Sequence, residues 1–165
     1  LEEALVVRGY TAGFSVSVRT RPAGRLPEAG VALHPAPVAR WLVAKQEIAG
    51  VASERARHLP VLLQRIESPA VFALAEDGGR AAAVGLAVLT GDHVGIFDVA
   101  VRPDRRRRGL ATRVVDALIS WGAGLGASVA YLQVETGNQP AITLYERMGF
   151  VERYRYWYRG AEGVR

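Results

Sequence analysis

The feature that most constrains the fold is a strand–turn–helix pattern over residues 94–121. Residues 94–101 (VGIFDVAV) are apolar apart from one aspartate, which predicts a largely buried strand. The turn that follows contains Pro103, four consecutive arginines and Gly109. An apolar stripe at helical spacing comes next, formed by Leu110, Val114, Leu118 and Trp121. Because the first N–H groups of a helix have no intrahelical partner, this segment predicts an anion-binding turn.

Two segments of the chain are similar to motifs of the GNAT superfamily of acyl-CoA-dependent N-acetyltransferases. Arg106-x-x-Gly109-x-Ala111 matches the Arg/Gln-x-x-Gly-x-Gly/Ala signature of that superfamily. Residues 138–150 (NQPAITLYERMGF) resemble its second hallmark. The two motifs occur in the expected order and at about the expected separation. The resemblance covers residues 31–159.

Periodicity along the chain predicts a mixed α/β (α+β) protein. Strands are expected over residues 31–33, 70–75, 80–89, 94–101, 127–135 and 150–159. Helices are expected over residues 37–48, 53–66, 108–121 and 140–148, with Ser53 as an N-cap. The order β-α-α-β-β-β-α-β-α-β is that of the GNAT fold. The resemblance therefore implies a mixed central sheet, flanked by helices, whose fourth and fifth strands splay apart.

Composition excludes several other classes of protein. There is no cysteine, hence no disulfide and no thiol nucleophile, and the three histidines show no metal-ligand spacing, so no metal is expected. No apolar run reaches about 18 residues and no signal peptide is visible, so we expect a cytoplasmic protein without a membrane partner. The net charge is +5, and Lys45 is the single lysine among 21 basic residues. The positive excess is concentrated in the run Arg105–Arg108, which suits a phosphate-bearing cofactor.

The first 25 residues carry a shorter pattern that resembles the end of the chain. Residues 6–19 and 147–159 share a helix end, a Gly-aromatic pair and a nine-residue alternating strand that ends in arginine. One interpretation is that residues 1–25 are a strand and linker left from a preceding GNAT-like lobe, with residues 26–165 forming the acetyltransferase domain; the alternative is a chance match. Phe14, Val16 and Val18 are expected to form a strand beside the catalytic sheet or to pair with a second copy of the chain.

The resemblance implies acetyl-CoA as co-substrate. Backbone amides of the arginine turn would wrap the pyrophosphate, the preceding strand edge would bind pantetheine, and the asparagine of the second motif would cap its helix or contact the cofactor. The expected cofactor-binding residues are Val99, Ala100, Val101, Arg106, Arg107, Arg108, Gly109, Leu110, Ala111, Thr112, Asn138 and Tyr145. The alternative for the turn is a solvated basic loop or a nucleic-acid patch, and the lack of aromatic residues within it argues against nucleic acid.

Acetyl transfer to an amine needs an acid for the leaving thiolate and a route for the amine proton. By resemblance, Tyr145 is the candidate general acid; the alternative is a tyrosine that only packs against the sheet. Many members place a glutamate base near the position of Gly95, and ribosomal-protein alanine acetyltransferases place one at the position of Gln133. Neither residue here can accept a proton.

Two other carboxylates are candidates for the base. Asp98 comes first, because alternation would put it on one strand face with Ile96 and Ala100; Glu135 comes second. Proton relay through water is a further route.

The function expected from these residues is N-acetyl transfer from acetyl-CoA to a primary amine, by direct attack in a ternary complex. The alternative is a catalytically weak CoA-binding module with a regulatory or structural role.

Overall fold

A computed structural model describes residues 2–27, 30–49 and 54–161, so the predicted cap Ser53 lies outside the described residues. The helices are α1 Glu2–Val7, α2 Ala39–Ala49, α3 Glu54–Gln64, α4 Leu110–Gly124 and α5 Gln139–Arg147. The strands are β1 Tyr10–Pro22, β2 Ala32–His34, β3 Ala70–Asp77, β4 Arg80–Thr90, β5 His93–Val101, β6 Val129–Glu135 and β7 Val151–Ala161. From β2 onward this is the predicted order. None of the described helices is long and apolar enough to cross a bilayer.

The chain divides into two compact units. The larger spans Arg21–Leu132, and the smaller combines Leu1–Thr20 with Gln133–Arg165. Strand β6 contributes its first four residues to the larger unit and its last three to the smaller. Followed through β6, the strand order is β2-β3-β4-β5-β6-β1-β7. The sheet is mixed, as predicted, because β5 and β6 are parallel whereas the other ladders described are antiparallel.

The larger unit buries a core on both faces of its strands. On one face α2 packs through Trp41, Ala44 and Ile48 against side chains of β3 and β4, among them Val84 and Leu86. On the other face α4 buries an apolar stripe that includes Leu110, Val114, Val115, Leu118 and Ile119. Burial of this kind is the main source of stability, because each fully buried aliphatic side chain contributes about 1.5–3 kcal/mol.

The parallel ladder between β5 and β6 is short. It runs from the pair His93↔Val129 to the pair Ile96↔Leu132 and ends there. Within the larger unit, β5 continues to Val101 with β4 as its only described ladder partner. This is the predicted splay of the fourth and fifth family strands, which are β5 and β6 here because β1 and β2 precede them.

In the smaller unit β1 pairs antiparallel with β7, which confirms a strand over Phe14–Val18. Val16 lies opposite Tyr156, and both Val16 and Val18 are buried. The similar sequence patterns have similar local structure: Gly9 and Gly149 each follow a helix, precede a strand and have a left-handed φ, of 78° and 83°. Arg19 is buried with its guanidinium 3.1 Å from Glu146 and 3.6 Å from Glu152, so its charge is compensated.

The packing of α4 predicts opposite effects of two alanine substitutions in its last turn. In Gly122→Ala, the new Cβ would lie 2.5 Å from the Cβ of the fully buried Val94, so we expect a loss of about 1–3 kcal/mol of unfolding free energy. Gly124→Ala is the control, because its Cβ would meet nothing closer than 3.9 Å and alanine has the higher helix propensity. Urea unfolding of both variants checks this. Equal stability of the two would contradict the close approach of α4 to Val94.

Candidate active site

The turn between β5 and α4 has the backbone geometry of an anion cradle. It begins with a 3-10 turn, Pro103–Arg105, and then places Arg107 and Gly109 in left-handed conformations with φ of 61° and 75°. The first helical hydrogen bond runs from Arg113 N to Gly109 O at 3.0 Å, so the amides of residues 110–112 have no carbonyl partner within the helix. Left-handed residues in such a turn bring successive N–H groups to one side, where they bind anions.

The arginines of this turn differ in how far they are neutralised. Arg108 lies 3.1 Å and Arg105 3.5 Å from the carboxylate of Asp77, the last residue of β3. Arg106 Nε donates a long hydrogen bond of 3.5 Å to Val101 O. Arg107 has no ion-pair partner among the residues that the structure describes. The full positive charge is therefore most available at Arg107.

Strand β5 carries a bulge beside its unpaired edge. The register passes from Leu86↔Phe97 to Val84↔Ala100, so Asp98 and Val99 together lie opposite Gly85. Asp98 has a left-handed φ of 55°, which is uncommon for a residue with a side chain. The last β5–β6 pair is at Ile96, so the bulge begins two residues beyond it, within the open edge.

The backbone groups of that edge follow from the hydrogen bonds to β4. Arg102 N donates to Ala82 O at 2.9 Å, and alternate amides of a strand point to opposite sides. The amides of Val99 and Val101 therefore point to the open edge. Ala100, which was expected to belong to the cofactor-binding edge, pairs with Val84 and directs its amide to β4. Its backbone is used by the sheet.

Asp98 does not share a strand face with Ile96, and that prediction was wrong. Its carboxylate lies 2.8 Å from Lys45 Nζ on α2, whereas Val94, two residues before Ile96, packs against α4 at Gly122. The bulge is the reason, since an extra residue reverses the alternation beyond it. Asp98 does lie on the α2 side, where Ala100 packs against the apolar core.

The position of Gly95 is filled by aromatic rings. A Cβ built on Gly95 would lie 2.6 Å from the ring of Phe97 and 2.7 Å from that of Tyr131. These two rings pack edge to face, with centroids 5.9 Å apart and an interplanar angle of 87°. A glutamate side chain at this position would collide with both, so the arrangement excludes a carboxylate here without repacking.

The smaller unit holds the residues of the second motif. Asn138 is the N-cap of α5, as expected, and its Oδ1 accepts a hydrogen bond from Ala141 N at 3.3 Å. Tyr145 is 9% exposed and packs edge to face on Phe150. Burial raises the pKa of the Tyr145 hydroxyl, which keeps it protonated at neutral pH. Among the described residues, this hydroxyl donates no hydrogen bond.

The last residues of β6 place Gln133 and Glu135 on one exposed side of the strand. Gln133 Oε1 accepts a hydrogen bond from the hydroxyl of Tyr156 at 2.7 Å. Glu135 has no ion-pair partner in the described part of the chain. No group of three His, Cys, Asp or Glu residues among those described is arranged to hold a metal ion.

Sequence reasoning missed three residues that shape the site. Lys45 contacts Asp98, Gly85 faces the bulge, and Tyr131 covers Gly95. Lys45 is 53 residues from Asp98 along the chain, and Tyr131 is 36 residues from Gly95. Gly85 lies on the neighbouring strand, β4. The one available signal was that Lys45 is the single lysine.

The chain is similar in sequence and in fold to known acetyltransferases. Residues 36–150, more than half of the chain, match the model of the acetyltransferase (GNAT) family. Over 74 residues the chain is 35% identical to the ribosomal protein bS18-alanine N-acetyltransferase of Escherichia coli (strain K12), covering 45% of this chain and 50% of that protein. The chain spans about half the length of the curated relatives it matches.

Solved structures share the fold. A GCN5-related N-acetyltransferase from Kribbella flavida superposes with a TM-score of 0.72 at 22% identity, covering 99% of this chain and 64% of that one. The ribosomal-protein-S18-alanine N-acetyltransferase from Escherichia coli superposes with a TM-score of 0.61 at 24% identity, covering 75% of this chain and 79% of that one. At these identities the similarity establishes the architecture and leaves the substrate to be argued from the site.

Proposed function

Because this chain belongs to the acetyltransferase (GNAT) family, we propose that it transfers an acetyl group from acetyl-CoA to a primary amine by direct attack in a ternary complex. The observation that carries the proposal is the cradle before α4, where amides without a helical acceptor and the left-handed residues Arg107 and Gly109 adjoin an open strand edge. The amine nitrogen forms a bond to the acetyl carbon, the carbon–sulfur bond breaks, and CoA leaves as the thiol after gaining a proton.

The cradle fits the pyrophosphate of acetyl-CoA. The amides of residues 110–112 and the positive end of the α4 dipole favour a negative charge at the helix start. Gly109 has no Cβ, and a Cβ there would meet no protein atom within 4 Å, so the space beside it is open to a ligand. Arg106, Arg107 and Arg108 would add charge, although Arg108 shares its charge with Asp77.

The open edge of β5 fits the amide-bearing arm of the substrate. The backbone groups of Val99 and Val101 would pair with pantetheine amides as an added strand would. In this proposal Val99 N–H also faces the acetyl carbonyl. A fixed N–H donor lowers the barrier by stabilising negative charge as it develops on that oxygen.

Tyr145 is the proposed general acid. A donor to the leaving thiolate must be protonated at neutral pH, and burial raises the pKa of Tyr145 in that direction. Its hydroxyl is also not committed to any described protein acceptor. Asn138, as the cap of α5, would hold the helix that carries Tyr145.

For the amine proton we propose Asp98 first and Glu135 second, with relay through water as the remaining route. Asp98 is exposed and ion-paired with Lys45, whereas Glu135 is exposed and has no described ion-pair partner.

The occupied position at Gly95 and the glutamine at 133 favour one alternative function, a CoA-binding module without turnover. Calorimetric titration with acetyl-CoA, followed by thiol release with a panel of amines, separates the two. The panel includes a peptide that begins with alanine, because the names of several relatives give alanine of ribosomal protein bS18 as their acceptor.

Gly109→Glu should abolish acetyl-CoA binding. The carboxylate would repel the phosphates and occupy the open space of the cradle. Gly91→Glu is the matched control, because Gly91 also has a left-handed φ, of 57°, and open surroundings, but lies in the β4–β5 turn. Calorimetry on both folded variants checks this. Unchanged affinity in Gly109→Glu would refute the cradle assignment.

Tyr145→Phe should lower kcat by about 10²-fold with little change in acetyl-CoA affinity, because it removes a proton donor and leaves the ring. The control is Tyr154→Phe in the same unit, where the side chain is 60% exposed, and its kcat should equal that of the wild type. Steady-state kinetics with thiol detection provides the measurement. A wild-type kcat in Tyr145→Phe would reduce Tyr145 to a packing role.

The base is identified by pH–rate profiles of Asp98→Asn and Glu135→Gln. A general base acts when deprotonated, so wild-type kcat/KM should rise with pH. The variant that removes the base should lose about 10²-fold or more at neutral pH and flatten that rise. The other variant should retain the wild-type profile. Unchanged profiles in both would contradict a carboxylate base and favour water relay.

A further inference from the structure

We infer that Lys45 is a positioning residue, which holds the Asp98–Val99 peptide so that Val99 N–H points to the open edge of β5. The contact and its direction stand on geometry alone. What Val99 N–H binds, the acetyl carbonyl of acetyl-CoA, rests on the proposed function.

The ammonium of Lys45 contacts two groups of Asp98 in the bulge, its carboxylate and its backbone carbonyl. Its Nζ lies 2.8 Å from Asp98 Oδ1 and 3.4 Å from the backbone oxygen Asp98 O. The lysine side chain is 16% exposed, so little of it remains in water. An ammonium that holds both the side chain and the carbonyl of the same residue restricts its χ1 and its ψ together. A surface ion pair to the carboxylate alone would not do this.

The bulge needs such a restraint because Asp98 is in a strained conformation. Its φ of 55° lies in the left-handed region, which is uncommon and costs free energy for a residue with a side chain. The ladder to β6 has ended at Ile96, so no strand of the larger unit supports this segment on its open side. The side-chain contact that the structure describes for Asp98 comes from Lys45 on α2.

A held carbonyl determines where the next amide points. The peptide unit is planar and trans, so the C=O of Asp98 and the N–H of Val99 point in opposite directions. Lys45 Nζ lies 3.4 Å from Asp98 O, and a contact to this oxygen resists rotation of the Asp98–Val99 peptide, so Val99 N–H keeps its direction at the edge. A cation on the oxygen also polarises the peptide and strengthens its N–H as a donor.

Helix α2 holds the opposite strand in the same way. Trp41, one turn before Lys45 on the helix, is fully buried, and its Nε1 donates to Gly85 O at 3.1 Å and to Ala73 O at 3.0 Å. Gly85 is the residue that faces the bulge. The two side chains therefore fix both sides of the mismatch from one rigid element, as a positioned catalytic donor requires.

The test compares Lys45→Met, Lys45→Arg and Arg40→Met in the full chain. Lys45→Met keeps the length and apolar stem of the side chain but removes the cation. Lys45→Arg restores a cation with several donors. Arg40→Met is the matched control, since Arg40 is a cation on the same helix whose partner is Glu76, 2.8 Å away, and not the bulge. The readouts are kcat, KM, calorimetric affinity for CoA, and the amide resonance of Val99 in ¹H–¹⁵N spectra.

We expect Lys45→Met to lower kcat by about 10- to 100-fold, the usual effect of a catalytic group displaced by about 1 Å. Affinity for CoA should change less than about threefold, because the pyrophosphate cradle is untouched. The Val99 amide resonance should shift and exchange faster with solvent. Lys45→Arg should recover most of kcat, and Arg40→Met should leave kcat and the resonance unchanged.

Unchanged kcat and an unchanged Val99 resonance in folded Lys45→Met would overturn the inference. If Lys45→Met does not fold, Lys45→Gln, which keeps one N–H donor without the charge, takes its place with the same criteria. If the wild type shows no acetyl transfer, the proposed function fails. The Val99 resonance then decides the positioning role by itself: a shift in Lys45→Met but not in Arg40→Met supports it, and no shift refutes it.

Discussion

Two residues of β5, Asp98 and Val99, face the single residue Gly85 of β4, and this mismatch lies just past the point where the open edge of the larger unit begins. Up to Ile96, β5 pairs with strands on both sides; beyond it, β4 is the only ladder partner of β5 among the residues that the structure describes. The packing around the mismatch is correspondingly tight. A Cβ on Gly85 would lie 2.6 Å from Val114 of α4, so α4 supports the bulge from one face while Trp41 and Lys45 support it from the other. The strained φ of Asp98 persists because these neighbours enforce it.

The same constraint places the anion cradle beside the open edge. The chain leaves β5 at Val101 and enters α4 at Leu110, so eight residues join the edge to the helix start. Close approach at Gly85 and Gly122 keeps α4 against the strands, which determines where its N-terminus can lie. The proposed sites for pyrophosphate and for pantetheine thus lie on one continuous segment, and a shift in the position of α4 would disturb both.

Much of this was predictable from local sequence, and the parts that were not have a common cause. Hydrophobic periodicity predicts β5 and α4, and the N-cap role of Asn138 follows from the residue type and its place before Pro140. The sequence carries no such signal for the bulge. A positive φ is uncommon at an aspartate, and the sequence pattern of β5 shows no break at Asp98 that would reveal an extra residue. Because of this one extra residue, the assignment of Asp98 to the face of Ile96 was wrong. Ala100 was expected at the open edge, but its pairing with Val84 directs its amide to β4. Contacts such as Lys45 with Asp98 depend on tertiary packing, which periodicity does not encode.

For residues 1–25, pairing with β7 confirms the strand, and a preceding lobe stays a prediction.

The difference between an enzyme and a binding module lies in β5 rather than in the cradle. Free amides at a helix start bind phosphate whether or not a reaction follows, so the turn before α4 does not distinguish the two functions. A fixed direction for Val99 N–H adds little to the binding of a flexible arm, which can adjust to its donors. It matters where charge develops on one oxygen during a reaction, because a donor that must reorient at that moment loses its advantage. The restraint of Asp98 by the single lysine of the chain therefore favours catalysis, even though the two family positions for a glutamate base hold Gly95 and Gln133.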